Sequence, residues 1–468
     1  MISRENRSSG AQSAASAPQS RHPHGRKAPL ALPLLGHVWP LMRSPLRFMT
    51  RLSSYGDVVP LRLGTLPVQA VTDPGLVHRV LATDGRNFVR GRFFEKTGMI
   101  GGEQGLVAIS GPTHLRDRRA LQPMFRRDHI VGFAKGVREA TQDVTGRWEA
   151  GQVVHVDHAM NELVLSALVR SLLGGRPSEE MTAAFHRNLS VLSQGLVTRC
   201  ILPTWWMYVP TPSNRRFQHA IDSMRSAINQ AVAVCRDRGQ GTAGLLDLIT
   251  EQREEDGRLW TDRKICDHVM HIMLAGVETS GATLAWVFHE LGRHPRIADQ
   301  VQDEVDRVLG GAPPDADSLP KLELTGRVIL ETLRRHAIWM GMRRTKDPVI
   351  LGDTTLPAGT EVLYSPHALH HDPRWFPEPE RFDPDRWLPE RAHSVPKGAY
   401  IPFGGGVHKC IGDSFAIMEI TIVIAAIFQR WRLQPVPGAK VVPVARADVH
   451  PNHLPMTVTP RADLCKGS

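Results

Sequence analysis

The sequence predicts a mainly α protein with a small β portion, folded as one domain. Three observations carry that prediction. Helical periodicity dominates from Pro112 to Trp431. The β-rich runs are short and lie at the edges of that region or between its helices. No internal repeat and no linker interrupts the middle of the chain. The 468 residues suffice for a large buried core, and length alone would suggest about three domains. A hydrophobic share of 41% with 22% charged residues is that of an ordinary globular protein, which excludes a disordered or fibrous class.

Taken in order, residues 1–28 are small and polar and read as a disordered N-terminal tail, leaving 29–468 as the folded domain. Pro29, Pro33 and Gly36 favour an extended lead-in to the fold. Val58–Leu63 and Val68–Val71 read as two strands around Gly64. Helices are predicted over Pro112–Phe125, Phe217–Cys235, Asp267–Leu291, Ile297–Leu309 and Thr325–His336. Val349–Tyr364 reads as a hairpin turning at Pro357-Ala358-Gly359. A Pro-rich loop runs from Asp372 to Pro402, and a last helix from about Ile411 to Trp431.

Charge and cysteine content narrow the classes. Net charge is +10, from scattered arginines rather than a basic run with interleaved aromatics, so no nucleic-acid binding is expected. The five cysteines, Cys200, Cys235, Cys266, Cys410 and Cys465, are odd in number and far apart. That excludes a disulfide framework and a Cys-x-x-Cys metal knuckle, and fits a reducing cytoplasm. No apolar run of about 18 residues is present, so no membrane span is expected.

The chemistry begins at Phe403-Gly404-Gly405-Gly406-Val407-His408-Lys409-Cys410-Ile411-Gly412. Glycines let a loop approach a flat ligand. A cysteine at the mouth of a helix has its sulfur near the positive dipole end, which favours the thiolate. One thiolate suits an axial ligand to haem iron, where it helps cleave an O–O bond. A plain glycine-rich turn with a buried cysteine is the alternative.

This run resembles the haem-binding loop of the cytochrome P-450 family: Phe403, Gly406, His408, Cys410 and Gly412 fill its places. His408 stands where the family more often has Arg, so its hold on a haem propionate is expected to be weaker. The resemblance implies the cytochrome P-450 fold with a single haem domain, haem (heme b) bound through Cys410, and O2 as co-substrate.

Three further segments fit in order. Ala275-Gly276-Val277-Glu278-Thr279-Ser280 lies inside a long apolar helix. An interior glycine costs about 1 kcal/mol there, and an acid beside a hydroxyl can hold water and relay protons. Alternatively, Glu278 is solvated and Thr279 bonds its own helix backbone. The family resemblance implies that Glu278 and Thr279 deliver protons to dioxygen. Glu331-Thr332-Leu333-Arg334, with Arg381 in the Pro-rich loop, resembles the family's buried three-member charge network. His114 and Arg118, four apart on one helix face, resemble its propionate ligands. Arg343 matches another such position, with Arg344 an ambiguous neighbour.

The implied function is a haem-thiolate monooxygenase inserting one oxygen atom of O2 into an apolar small molecule. Electrons are expected from ferredoxin and ferredoxin reductase, since no flavin or nicotinamide fingerprint is present. Arg116, Arg119, Arg126, Arg127, Lys397 and Lys409 are expected to form a basic docking face. Phe88–Val107, Leu192–Val209 and Ala337–Met342, with Trp205, Trp206 and Trp339, either line an apolar pocket or simply pack the core. Pro33–His37, Pro212–Phe217 and Phe382–Arg391 resemble those of bacterial terpene-oxidising members, which implies hydroxylation of a cyclic terpene in secondary metabolism. Fatty-acid or polyketide hydroxylation is the alternative within the class, and a non-oxygenating haem sensor or carrier the alternative outside it.

Overall fold

The computed structural model describes residues 29–461 apart from 34, 175–178, 203, 239–243 and 447, so the expected tail lies outside the described residues. A central helix, Asp262–Arg293, organises the molecule. Thr261 caps its start by accepting from the Lys264 N–H, which satisfies one of the orphan donors of a helix end. Its apolar residues are buried nearly all round, as a core helix requires. Helices Arg127–Thr145, Val156–Leu173, Pro212–Arg238 and Asp413–Phe428 pack with it into one continuous hydrophobic core.

Each predicted helix is present with its ends moved by a few residues: Gly111–Leu121, Pro212–Arg238, Asp262–Arg293, Pro295–Leu309, Glu323–Arg335 and Asp413–Phe428. Pro295 sits where a helix start tolerates proline, and Gly310 ends the helix in the left-handed region. Glu304 accepts from the Leu324 and Thr325 N–H groups, 2.7 and 2.9 Å away, and so caps the next helix. Among the described residues, no helix is long and apolar enough to cross a membrane.

The β portion centres on a five-stranded sheet in the spatial order Val58–Leu63, Leu66–Val71, Glu361–Tyr364, Gly341–Thr345, Phe88–Arg90. Pairing is antiparallel except where Val68–Val71 run parallel to Glu361–Tyr364. The expected hairpin over Val349–Tyr364 needs correction. Val349–Leu351 and Thr354–Leu356 form a smaller hairpin, turning at Gly352 with φ 60°. The chain after Gly359 leaves to join the main sheet as Glu361–Tyr364. That strand is buried on both faces, so its pairing is decided by the core rather than by the nearest turn.

Candidate active site

The cysteine loop closes on itself before the C-terminal helix. The Cys410 N–H donates to the Phe403 carbonyl at 2.9 Å, and the Lys409 N–H to that of Gly406 at 3.1 Å. Gly406 has φ 63°, and a Cβ there would sit 1.7 Å from the Leu81 carbonyl oxygen. Only glycine lets the loop lie this close to the Arg79–Thr83 turn. The helix begins at Asp413, just beyond Cys410. Burial pushes the thiol above its ordinary range, and the Gly412 backbone N–H, donating to it, offsets this only partly. The residue is nevertheless exposed. Surrounded by protein yet accessible, Cys410 borders an internal space.

Cations converge beside this loop; among the described residues no carboxylate pairs with Arg90 or Arg343, and Asp413, the acid that reaches Arg118, is taken by Lys409. Arg90 and Arg343 are direct cross-strand partners, both buried. Like charges directly opposite one another destabilise a strand pair. His114 lies against His408, with Nε2 and Nδ1 3.3 Å apart, and Arg118 donates to the Lys409 carbonyl at 2.7 Å. The nearest acid on the His114 helix, Asp117, is taken by Lys264 at 3.0 Å and His268 at 3.4 Å. Burial and then the neighbouring arginines push His114 down to about 3 and hold His408 well below the usual imidazole range. Burial and Arg343 lower Arg90 to about 9. His114 Nδ1 and Arg90 Nε have no partner. Buried donors are seldom left so.

The structure thus brings together His114, Arg118, Arg343 and His408 and adds Arg90, which the sequence reading missed. Alternation along Gly341–Thr345 resolves Arg343 from Arg344: the latter faces away and pairs with Glu95 and Glu361. The same alternation in Phe88-Val89-Arg90 was the available signal for Arg90.

On the central helix, Ala275 is exposed between buried Met273 and Val277. Thr279 Oγ1 donates to the Ala275 carbonyl at 2.7 Å, the self-bonded alternative. Glu278 Oε2 lies 3.2 Å from His450 Nε2, so the two neighbouring residues engage different partners. Burial raises the Glu278 carboxyl, but His450, Ser193 and Arg446 outweigh it and hold it below its ordinary value. Gly276 faces Leu168 of the neighbouring helix, where a Cβ would meet its Cδ2 at 3.4 Å, an ordinary contact.

The expected network of Glu331, Arg334 and Arg381 requires one replacement. Glu331 and Arg334 are fully buried and bidentate at 2.9 Å. Arg381 is exposed and pairs with Glu378 at 3.3 Å; only its carbonyl reaches Arg334. The buried third cation is Arg386, 3.5 Å from Glu331. Trp387 Nε1 and the Asp383 N–H also donate to Glu331, at 3.0 and 3.1 Å. Arg334 is further held by the His370 and Pro379 carbonyls, both at 2.8 Å. Every lone pair of the carboxylate thereby meets a donor, as a buried charge demands.

Of the aromatic residues singled out, Trp339 is core, its Nε1 donating to the Arg446 carbonyl at 2.7 Å. Trp205 and Trp206 are exposed on the turn Thr204–Tyr208. A cleft of about 210 Å³ opens next to them, with a mixed lining in which Glu103, Arg199, Asn214 and Gln218 join Met99, Met207, Tyr208 and Phe217.

Comparison with known proteins matches this architecture along nearly its whole length. The family model "Cytochrome P450" matches residues 27–456. The chain is 39% identical to cyclooctat-9-en-7-ol 5-monooxygenase of Streptomyces melanosporofaciens, over 95% of this chain and 97% of that one. It is 36% identical to pentalenene oxygenase of Streptomyces avermitilis, over 93% and 97%. Among solved structures, the cytochrome P450DA heme domain superimposes with TM-score 0.83 at 25% identity, covering 93% of this chain and 97% of that one. With a family match over residues 27–456, a relative 39% identical along nearly the whole chain and a matching fold, this chain belongs to the cytochrome P-450 family.

Proposed function

We propose that this chain is a haem-thiolate monooxygenase that hydroxylates a cyclic terpene, with Cys410 as the residue that would hold the haem iron. One observation carries the cofactor assignment: buried arginines oppose each other beside an accessible cysteine with no acid to neutralise them. A flat dianion with a metal at its centre answers both halves of that arrangement. The orphaned His114 Nδ1 and Arg90 Nε are donors of the kind its carboxylates require. His114, Arg118, Arg343 and Arg90 would hold the propionates, with His408 as a neutral donor, while Phe403 and Gly406 shape the loop. A metal deprotonates a coordinating thiol outright, so the raised Cys410 thiol is no obstacle.

When bound, haem supplies activation of dioxygen and insertion of one oxygen atom into a C–H bond. The chain's residues do the rest. Glu331, Arg334 and Arg386 fix the loop behind Cys410. The Thr279 hydroxyl, its proton directed to Ala275, turns its lone pairs outward to accept from a water. Glu278 supplies protons to that side.

One observation supports an apolar, uncharged substrate: the relatives' names specify oxygenation of cyclooctat-9-en-7-ol and pentalenene.

Electrons are proposed to come from a ferredoxin and its reductase, docking where Arg119, Arg126, Lys397 and Lys409 are exposed. Arg116 is partly engaged by Asp117 and Glu254. Reversing the charge of Arg119 and Arg126 is expected to slow reduction by ferredoxin, most at low salt; unchanged reduction kinetics would overturn the docking face. For substrate, cyclic diterpenes, sesquiterpenes and fatty acids are offered with a surrogate ferredoxin system. Gain of one oxygen atom on a cyclic terpene is expected. Turnover of fatty acids alone would contradict the proposal.

A further inference from the structure

We propose that His450 and Asp448 form, with Glu278, a buried proton-handling site, in which His450 is the positioning residue that holds Glu278 and reloads it with a proton. The inference rests on the reading above that Glu278 serves oxygen chemistry. It arises because Glu278 is not free to do so in this structure. Its carboxylate is held by a histidine from a separate element, the C-terminal hairpin in which Pro443–Ala445 pairs with Val449–Pro451.

One nitrogen, His450 Nε2, faces two carboxylates. It lies 3.2 Å from Glu278 Oε2 and also contacts Asp448 Oδ1. Its N–H is aligned with neither, so the contact is an ion pair and not a settled hydrogen bond. His450 and Asp448 are buried and Glu278 nearly so. The other polar groups facing the site are Ser193, from helix Glu179–Ile201, and Arg446, from the hairpin. Two acids around one imidazole favour the imidazolium. Burial alone would lower His450, yet the two carboxylates hold it up at about 10.

The proton step balances without any further reagent. The Nε2–H bond of His450 breaks and an O–H bond forms on Glu278 Oε2. Imidazolium becomes imidazole, carboxylate becomes carboxylic acid, and Asp448 stays ionised. The neutral Glu278 then loses the Coulombic hold of His450, so its side chain can swing toward Thr279. A proton taken up from bulk solvent re-forms the Nε2–H bond of His450, beside Asp448, and closes the cycle. In the resting arrangement the transfer runs uphill, because the ion pair opposes it. Protons are therefore released in step with demand.

The test uses full-length, haem-loaded wild-type protein with His450→Gln and Asp448→Asn. Histidine ¹⁵N NMR, with His450→Gln identifying the resonance, reads the charge state directly. In the wild type the imidazolium is expected to persist from pH 7 to about 9, and in Asp448→Asn to be lost at lower pH. In turnover, His450→Gln is expected to raise the ratio of hydrogen peroxide to hydroxylated product on the order of 10-fold at equal electron consumption. The alkaline fall in product yield should move to lower pH in Asp448→Asn. A neutral His450 at pH 7, or an unchanged peroxide ratio in His450→Gln, overturns the proposal. Should His450→Gln not fold, the pH profile of product yield in Asp448→Asn decides it alone: an alkaline fall that stays where the wild type has it overturns the proposal. Failure of the underlying reading is separate: Glu278→Gln would then leave the wild-type peroxide ratio unchanged.

Discussion

Two clusters of buried arginines flank the cysteine loop and are built on opposite rules. Behind the loop, Arg334 and Arg386 surround Glu331, and backbone carbonyls take up the remaining donors. In the other cluster, Arg90 faces Arg343 across two strands with His114 and His408 close by, and two donors stay orphaned. The first cluster is complete as it stands. The second has an anion's worth of binding in reserve. The difference teaches how to tell a structural charge network from a ligand site: count the partners, not the charges.

The largest effect should come from breaking the complete cluster. Glu331→Ala leaves two buried guanidiniums uncompensated, a loss of about 3–5 kcal/mol. Urea unfolding should show it with haem present or absent. Next is Arg90→Leu, which removes one cation from the incomplete cluster. Here the two states should respond in opposite senses. The haem-free chain should gain about 1 kcal/mol by relief of cation repulsion. The loaded protein should lose haem roughly 30-fold faster, the loss of one charge-assisted bond of about 2 kcal/mol. Haem transfer to an excess of acceptor protein measures the second, and equal destabilisation of both states would break the comparison.

Smaller still, His408→Arg restores a permanent cation and should slow haem loss several-fold. The pH dependence gives a further contrast. His450 is raised to about 10, so its contribution to stability is complete below its ordinary value near 6.5 and is lost as pH rises toward 10. Glu290, which His336 and Arg335 bring down to about 2 despite burial, behaves oppositely: its contribution is present above 4.5 and lost as pH falls toward 2. Melting temperatures across that range should fall at both ends, the alkaline fall shrinking in His450→Gln. The smallest effect belongs to Arg381→Ala, an exposed pair worth at most about 0.5 kcal/mol.

The same contrast explains what could be read before the structure was seen. The cysteine loop was legible because its spacing is local: Phe403, Gly406 and Cys410 are joined by bonds within one turn. His114 and Arg118 were legible for the same reason, sharing one helical face. Arg90 was not, because its meaning lies in a cross-strand partner 253 positions away, Arg343. Arg381 was expected in the network where Arg386 sits, because the Pro-rich loop has no repeat period and only tertiary packing decides which side chain turns inward. His450 carried no sequence signal at all; the hairpin alone brings it to Glu278. Strand Glu361–Tyr364 was placed in a local hairpin because Pro357-Ala358-Gly359 is a turn, whereas its buried faces belong to the larger sheet.

The central claim is that Cys410 holds haem iron as a thiolate, and the most direct test is optical. Purified protein is reduced with dithionite, and absorbance is compared with and without carbon monoxide, for the wild type and for Cys410→His. The account predicts the long-wavelength thiolate band in the wild type and its replacement by the shorter-wavelength band of histidine ligation in the variant. A histidine-type band in the wild type, or no haem at all, would contradict it.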